Sequence, residues 1–291
     1  MIRRRILPVV ILVLAVAPAI ASELVLPVFA HNLEGRLGSL WSSEIYLTNP
    51  GEQPVLVELA RFLPGDISKP SPCDLFMPPT RVVPPQSATV WTANGLATDL
   101  GCAESARGGL VLRADGPVHI TSRLVNLGGN EEQGAAAVLS GRGEAFEAIP
   151  IESLPVAGVH LLPALMWSRN PCGDLAFDTF VGFANPGTDP VEVVLDIPHE
   201  GDRAVRINGR EVFLPHLVQI PGNSWHQFRL TPAADEGSPC GTVESFLLRV
   251  DIDAPLAFYA SVIDRRSGDP RTVAPVPLTN VETLNVQTFE R

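Results

Sequence analysis

The sequence predicts an all-β protein, two tandem antiparallel β-sandwich domains that arose by internal duplication. Three observations carry this expectation: the chain repeats itself at a fixed spacing, apolar residues alternate with a period of two, and turn formers interrupt it every few residues. Leu26-Pro27 recurs as Leu162-Pro163, Asn49-Pro50-Gly51 as Asn185-Pro186-Gly187, and Pro54-Val55 as Pro190-Val191, each 136 positions apart. Gly65-Asp66 returns as Gly201-Asp202 and Leu112-Arg113 as Leu248-Arg249 at the same offset, while Cys102 and Cys240 are 138 apart. Colinear anchors with small slippage mark a repeated folding unit.

The chain opens with Arg3, Arg4 and Arg5, continues through an apolar run from Ile6 to Val16, and reaches small residues at Ala19-Ile20-Ala21. That pattern predicts a cleaved signal peptide over residues 1–21 and a mature chain starting at Ser22. The apolar run falls short of the roughly 20 residues that span a bilayer, and Pro8 and Pro18 interrupt the segment. The first domain is expected over residues 22–153, the second over 159–280, and a polar tail over 281–291.

Each repeat reads as strands and turns. Leu24 to Ala30 is the first candidate strand, followed by Glu44 to Thr48; their counterparts are Val159 to Met166 and Asp178 to Ala184. Asn-Pro-Gly then turns the chain: Asn bonds its local backbone, Pro presets φ and Gly accepts positive φ, so a hairpin corner is expected. Val55, Val57 and Leu59 form one apolar row and Val191, Val193, Leu195 and Ile197 the equivalent row, with Glu58, Glu192 and Asp196 off it. A period of two marks a strand with one buried face. Further strands are expected at Thr80 to Val83, Ala88 to Thr92, Gly109 to Ala114, Val118 to Val125 and Ala145 to Ile151. In the second repeat they fall at Val212 to Leu214, Leu217 to Ile220, Trp225 to Leu230, Phe246 to Ile252, Leu256 to Ile263 and Thr272 to Leu278. The turns Pro84-Pro85-Gln86-Ser87 and Pro221-Gly222-Asn223-Ser224 match, as do Asp115-Gly116-Pro117 and Asp253-Ala254-Pro255. Ala93 to Leu100 is the best helical window, but it is short and holds Gly95. Seven or eight short strands per roughly 120 residues, punctuated by turns, describe a β-sandwich. Residues 127–143 read as an enlarged loop before the last strand of the first repeat. The short linker from Ser153 to Gly158 should keep the domains in contact.

Composition narrows the partners. The chain carries 21 basic and 32 acidic residues, and loss of Arg3, Arg4 and Arg5 with the signal moves its formal charge from -11 to -14. Such a chain repels phosphate backbones and anionic lipid, so nucleic acid is not an expected partner. Four cysteines in an exported chain predict two disulfides, one per repeat: Cys73 with Cys102, and Cys172 with Cys240. Neither pair has the close Cys or His neighbours of a zinc site.

Chemistry-bearing motifs are sparse. There is no Gly-x-Ser-x-Gly elbow, Gly141-Arg142-Gly143 lacks the strand-to-helix context of a phosphate cradle, and the six His show no short ligand spacing. Asp251 and Asp253 are the best candidate pair for calcium, although two carboxylates supply few of the six to eight oxygens that ion takes. Acidic turns facing solvent are the plainer reading of that pair. No other cofactor is indicated. Trp41 and Trp167, near the loops entering the second strand of each repeat, are candidate platforms for stacking on a sugar ring. Trp91 and Trp225 lie where core aromatics are expected.

The order Leu-Pro, strand, Asn-Pro-Gly, alternating strand, Pro/Gly turn, Leu110-Val111-Leu112-Arg113 and a final Pro-Val strand resembles the tandem immunoglobulin-like or fibronectin-type modules of exported bacterial proteins. The antibody pattern of a core Trp between two inter-sheet Cys is absent. What the resemblance implies is adhesion, scaffolding or ligand display, with no functional residue carried over. Two functions are therefore expected to compete. One is a secreted or periplasmic non-catalytic structural, adhesive or binding protein that meets a protein or glycan at the cell envelope. The other is a carbohydrate-binding module or accessory to an extracellular hydrolase. A pilus-type chaperone also uses two sandwiches, but its basic cleft for a carboxylate is at odds with the acidic balance.

Overall fold

The computed structural model describes residues 21–34, 40–65, 68, 71–73, 77–102, 105–126, 143–169, 177–198, 203–233, 242–264 and 270–278. The first half contains β1 (Ser22–His31), β2 (Leu33–Glu34), β3 (Leu40–Asn49), β4 (Val55–Pro64), β5 (Thr80–Val83), β6 (Ser87–Trp91) and helix α1 (Ala93–Asp99). It closes with β7 (Ala106–Ala114), β8 (His119–Asn126), β9 (Ala145–Glu147) and β10 (Ile149–Pro150). A 3-10 turn, Ile151–Ser153, leads to β11 (Gly158–Arg169), β12 (Phe177–Asn185), β13 (Val191–Asp196), β14 (Arg203–Ile207), β15 (Arg210–Leu214) and β16 (His216–Ile220). The second half ends with β17 (Ser224–Pro232), β18 (Thr242–Ile252), β19 (Ala257–Asp264), β20 (Pro270–Val273) and β21 (Val276–Pro277).

The chain is all-β and antiparallel, and its two halves share a strand order. One sheet of the first half runs β10-β1-β7-β4-β5, and one of the second runs β21-β11-β18-β13-β16. The other first-half sheet places β6 on β3, then β8 and β9; its counterpart places β17 on β12, then β19 and β20, and extends past β17 through β14 and β15. Among the described strands, no sheet draws on both halves.

Each half closes its own core. Leu24, Leu26, Leu110 and Leu112 face Ile45, Leu47, Trp91 and Ile120 in the first. Leu162, Val193, Leu195 and Val250 face Val181, Phe183, Leu230 and Phe258 in the second. A third cluster lies between the halves: Val25, Leu63 and Val111 pack on Ala184, Trp225 and Ala257, with Leu154 of the linker. The four sheets therefore stack as layers. The two inner ones, that of β1, β7 and β4 and that of β12, β17 and β19, are covered on both faces. This explains why β1 and β19 are buried over long unbroken runs while β13, in an outer sheet, alternates; β4 alternates only at its start, which runs past the covered zone. Strands buried on both faces lose the period-two signal.

The recurring motifs are structural devices. Leu26-Pro27 and Leu162-Pro163 each sit at a bulge, where the pairing register shifts between Leu26 and Phe29 and between Leu162 and Leu165. A bulge is where a sheet tolerates Pro, which has no amide to donate. The Asn-Pro-Gly corners are not hairpins, as expected above, but arches that carry the chain from one sheet of a sandwich to the other. Asn49 Nδ2 donates to Gln53 O (2.7 Å) and Val83 O (3.1 Å) while its Oδ1 accepts from Gly51 N (2.8 Å). Asn185 repeats this with Asp189 O (2.9 Å), Ile220 O (3.1 Å) and Gly187 N (2.9 Å). Both Asn are buried, so the three bonds replace the water that would otherwise satisfy that backbone.

Two elements depart from the sequence expectation. The window at Ala93 does form a helix, α1, capped by Thr92 and anchored in the first core through Leu96 and Leu100. In the second half, Arg203–Ile207 is an unexpected strand that makes a hairpin with β15 across Asn208-Gly209, both at positive φ. Asn-Gly is the pair that such a two-residue turn selects. The strand matching β5 is consequently β16, not β15.

Candidate functional site

Cys73 and Cys102 form a disulfide that closes a loop of sequence separation 29 in the first half. Cys172 and Cys240 lie outside the described residues. Among the described residues, no group of three or more His, Cys, Asp or Glu is placed to hold a metal ion. Asp253 Oδ1 accepts from Glu192 N (2.9 Å), and Asp251 approaches Arg249 at 3.6 Å. The bond of Asp253 has a counterpart in the first half, where Asp115 Oδ1 accepts from Leu56 N (2.7 Å). Asp253 thus fastens the turn after β18 to the start of β13.

Contrary to the stacking expectation, Trp167 is closed to a ligand. Its ring is fully buried in the second core, stacked on Phe246 with centroids 4.1 Å apart, and its Nε1 donates to Glu244 Oε2 (3.0 Å). Strand β11 pairs there with β18, which brings Phe246 against the indole. A buried face is closed to a sugar. Trp41, on β3 beside Leu33 of β2, is partly exposed. Trp91 is buried in the first core, donates from Nε1 to Asp99 Oδ2 (2.7 Å) and carries the Arg81 guanidinium 5.2 Å from its ring. Trp225 is buried between the halves, where its Nε1 donates to Pro27 O (2.6 Å), the carbonyl freed at the β1 bulge.

The contact between the halves is also polar. Tyr259 lies across Gly182 on the neighbouring strand, where a Cβ would come within 2.2 Å of its ring, so only glycine leaves it room. The ring meets Phe146 of the first half edge-on at 5.0 Å, and its hydroxyl accepts from Gln227 Nε2 (3.2 Å). Burial pushes the Tyr259 phenol well above its ordinary value. Glu144, just ahead of β9, reaches into the second half: Ser261 Oγ donates to Oε2 (2.8 Å) and Thr272 Oγ1 to Oε1 (2.7 Å). Burial raises the Glu144 carboxyl to about 7, against the opposing pull of those two hydroxyls.

One flank of the stack exposes apolar side chains of the described strands. Where β4 and β7 cover β17, both inner sheets are buried; β5 and the β14–β15 hairpin extend past that zone on the same side. Leu56 and Val82, opposite each other on β4 and β5, are 40% and 61% exposed. Phe213 of β15, on the interface-facing side of its sheet by strand alternation, is 67% exposed. Around β15 lies a pocket of about 460 Å³ with Ile207, Val212, Phe213, Val218 and Phe228 among its apolar walls and Arg210, Glu211 and His216 as its polar lining. Among the described strands, β15 ends its sheet and pairs on one side only, with β14.

Asn208-Gly209 marks the hairpin in the sequence, but which stretch of the inner sheet the first half leaves uncovered depends on contacts distant along the chain. The chain matches no protein-family model and no curated protein. No helix among the described residues is long and apolar enough to cross a membrane.

Proposed function

We propose that the chain is an exported, non-catalytic binding protein of the cell envelope, which holds an extended segment of a partner protein along the β5 and β15 flank. The observation that carries this reading is Phe213, an aromatic ring 67% exposed on an edge strand with an apolar pocket beside it. An extended peptide pairs its backbone with such an edge, while pockets for alternate side chains give specificity. Leu56 and Val82 extend the apolar surface on the facing sheet and suit a partner with apolar side chains. The disulfide supports an oxidising compartment. The burial of Trp167, Trp91 and Trp225 leaves Trp41 as the stacking candidate for the carbohydrate reading.

A photo-crosslinking residue placed at Val82, 61% exposed on β5 at the same flank, tests the reading in cells that export the protein. A discrete protein adduct that disappears on Phe213→Asp is expected, with folding unchanged, because an exposed substitution shifts stability by only about 0.5 kcal/mol. A glycan array on the mature chain is the counter-test. Glycan binding abolished by Trp41→Ala and unaffected by Phe213→Asp would overturn the proposal in favour of the carbohydrate reading.

A further inference from the structure

We propose that Glu144 makes the contact between the two halves a pH-sensitive latch, held more tightly when its carboxyl is protonated than when it is ionised. The inference is independent of the partner reading above. It begins from a count of protons at the contact. Thr272 Oγ1 lies 2.7 Å from Glu144 Oε1 and 3.1 Å from Ala145 O, yet a hydroxyl has one hydrogen to donate. When Glu144 is ionised, one of those two acceptors goes without it. When Glu144 is protonated, its own O–H donates to Thr272 Oγ1, the threonine donates onward to Ala145 O, and Ser261 still donates to the other carboxyl oxygen. The neutral acid therefore completes a chain of bonds that the carboxylate leaves one short.

Desolvation acts in the same direction. The Glu144 residue is 5% exposed, and both side-chain partners are neutral hydroxyls that cannot offset a buried charge as a cation would. The titratable and charged groups around the contact do not reverse this. Tyr259 on β19 stays protonated, since burial drives its phenol upward. Arg107 on β7 acts on Tyr259. On β8, Arg123 acts on Tyr46, and on β20 the Arg271 guanidinium donates to Ala164 O. Phe146, Tyr259 and Trp225 supply the apolar part of the contact, so the latch adjusts an interface that packing already builds.

The sign follows from linkage. A carboxyl raised by burial binds its proton in the closed form and releases it on opening, so closure is strongest in acid and weakens as pH rises toward about 7. Opening should increase by up to about tenfold per pH unit between the ordinary carboxylate range and that value, then level off.

The test is amide exchange of β1 and β17 in the mature, disulfide-intact chain from pH 5 to 8.5, as protection factors corrected for intrinsic exchange. The wild type should lose protection over that range and then plateau. Glu144→Gln, which keeps the shape and cannot ionise, should hold its protection at pH 8 and lose the slope. A wild type without the slope, or a Gln variant that retains it, overturns the latch. Should the Gln variant fail to fold, carbon-13 titration of the glutamate carboxyls in the wild type decides instead. One carboxyl titrating near 7 supports the proposal, and all of them titrating near 4.5 refutes it.

Discussion

Trp225→Ala probes the contact between the halves. Its indole is 3% exposed in a cluster with Val25, Leu63, Val111, Leu154, Ala184 and Ala257, drawn from both halves and the linker. Truncating a buried Trp costs about 3–5 kcal/mol through lost burial and the cavity left behind. The change also strips the donor from Pro27 O, a buried carbonyl at a bulge, and an unsatisfied buried acceptor adds about 1–3 kcal/mol. These losses overlap, because a cavity at this site gives water a route to the carbonyl, so the expected total is about 5 kcal/mol. Trp225→Phe separates them: most of the burial survives, and about 1–2 kcal/mol should go with the hydrogen bond. Urea denaturation of the mature chain measures both, with β1 exchange protection reporting on the contact itself. Wild type is expected to unfold in a single transition and Trp225→Ala in two, as each sandwich falls back on its own core. A loss below about 1.5 kcal/mol for Trp225→Ala would refute the reasoning, since only a solvated ring is that cheap to remove.

Asn185→Ala removes two donated bonds and one accepted bond from a buried arch, and should cost about 3 kcal/mol in the same urea assay. Asn185→Asp should be at least as harmful despite its equal size, because it sets an acceptor against the Asp189 and Ile220 carbonyls. Asn49 should respond alike. Replacing Cys73 and Cys102 together by Ser should lower stability by about 3–4 kcal/mol in the same urea assay, as expected for a loop of separation 29.

What the sequence made legible, and what it did not, divides along physical lines. Alternation in Val55 to Leu59 and Val191 to Ile197 announced strands with one buried face, and the structure places both rows in the cores. The apolar run at Leu24 to Ala30 was legible as a strand, but a run buried on both faces does not say what covers the second one. The Asn-Pro-Gly chemistry specifies a turn; whether a turn joins neighbours in one sheet or crosses to another depends on partners distant in sequence. Asn208-Gly209 is the sequence signature of the β14–β15 hairpin. The recurrence of Asp-x-Pro after both Leu-Arg strands also pointed to a structural job for Asp253. Trp167 and Glu144 were illegible for a common reason: Glu244 lies 77 residues from the first, and Ser261 and Thr272 lie 117 and 128 from the second.

The doubly covered inner sheets bear on how such a chain is born. A ribosome delivers the N-terminal sandwich before its companion exists, so Val25, Leu63 and Val111 must wait for Trp225 and Ala257. Until then the nascent protein presents a greasy plane to its surroundings, open to chaperones or to a stranger of the same kind. Each half has a complete interior, yet neither is finished alone.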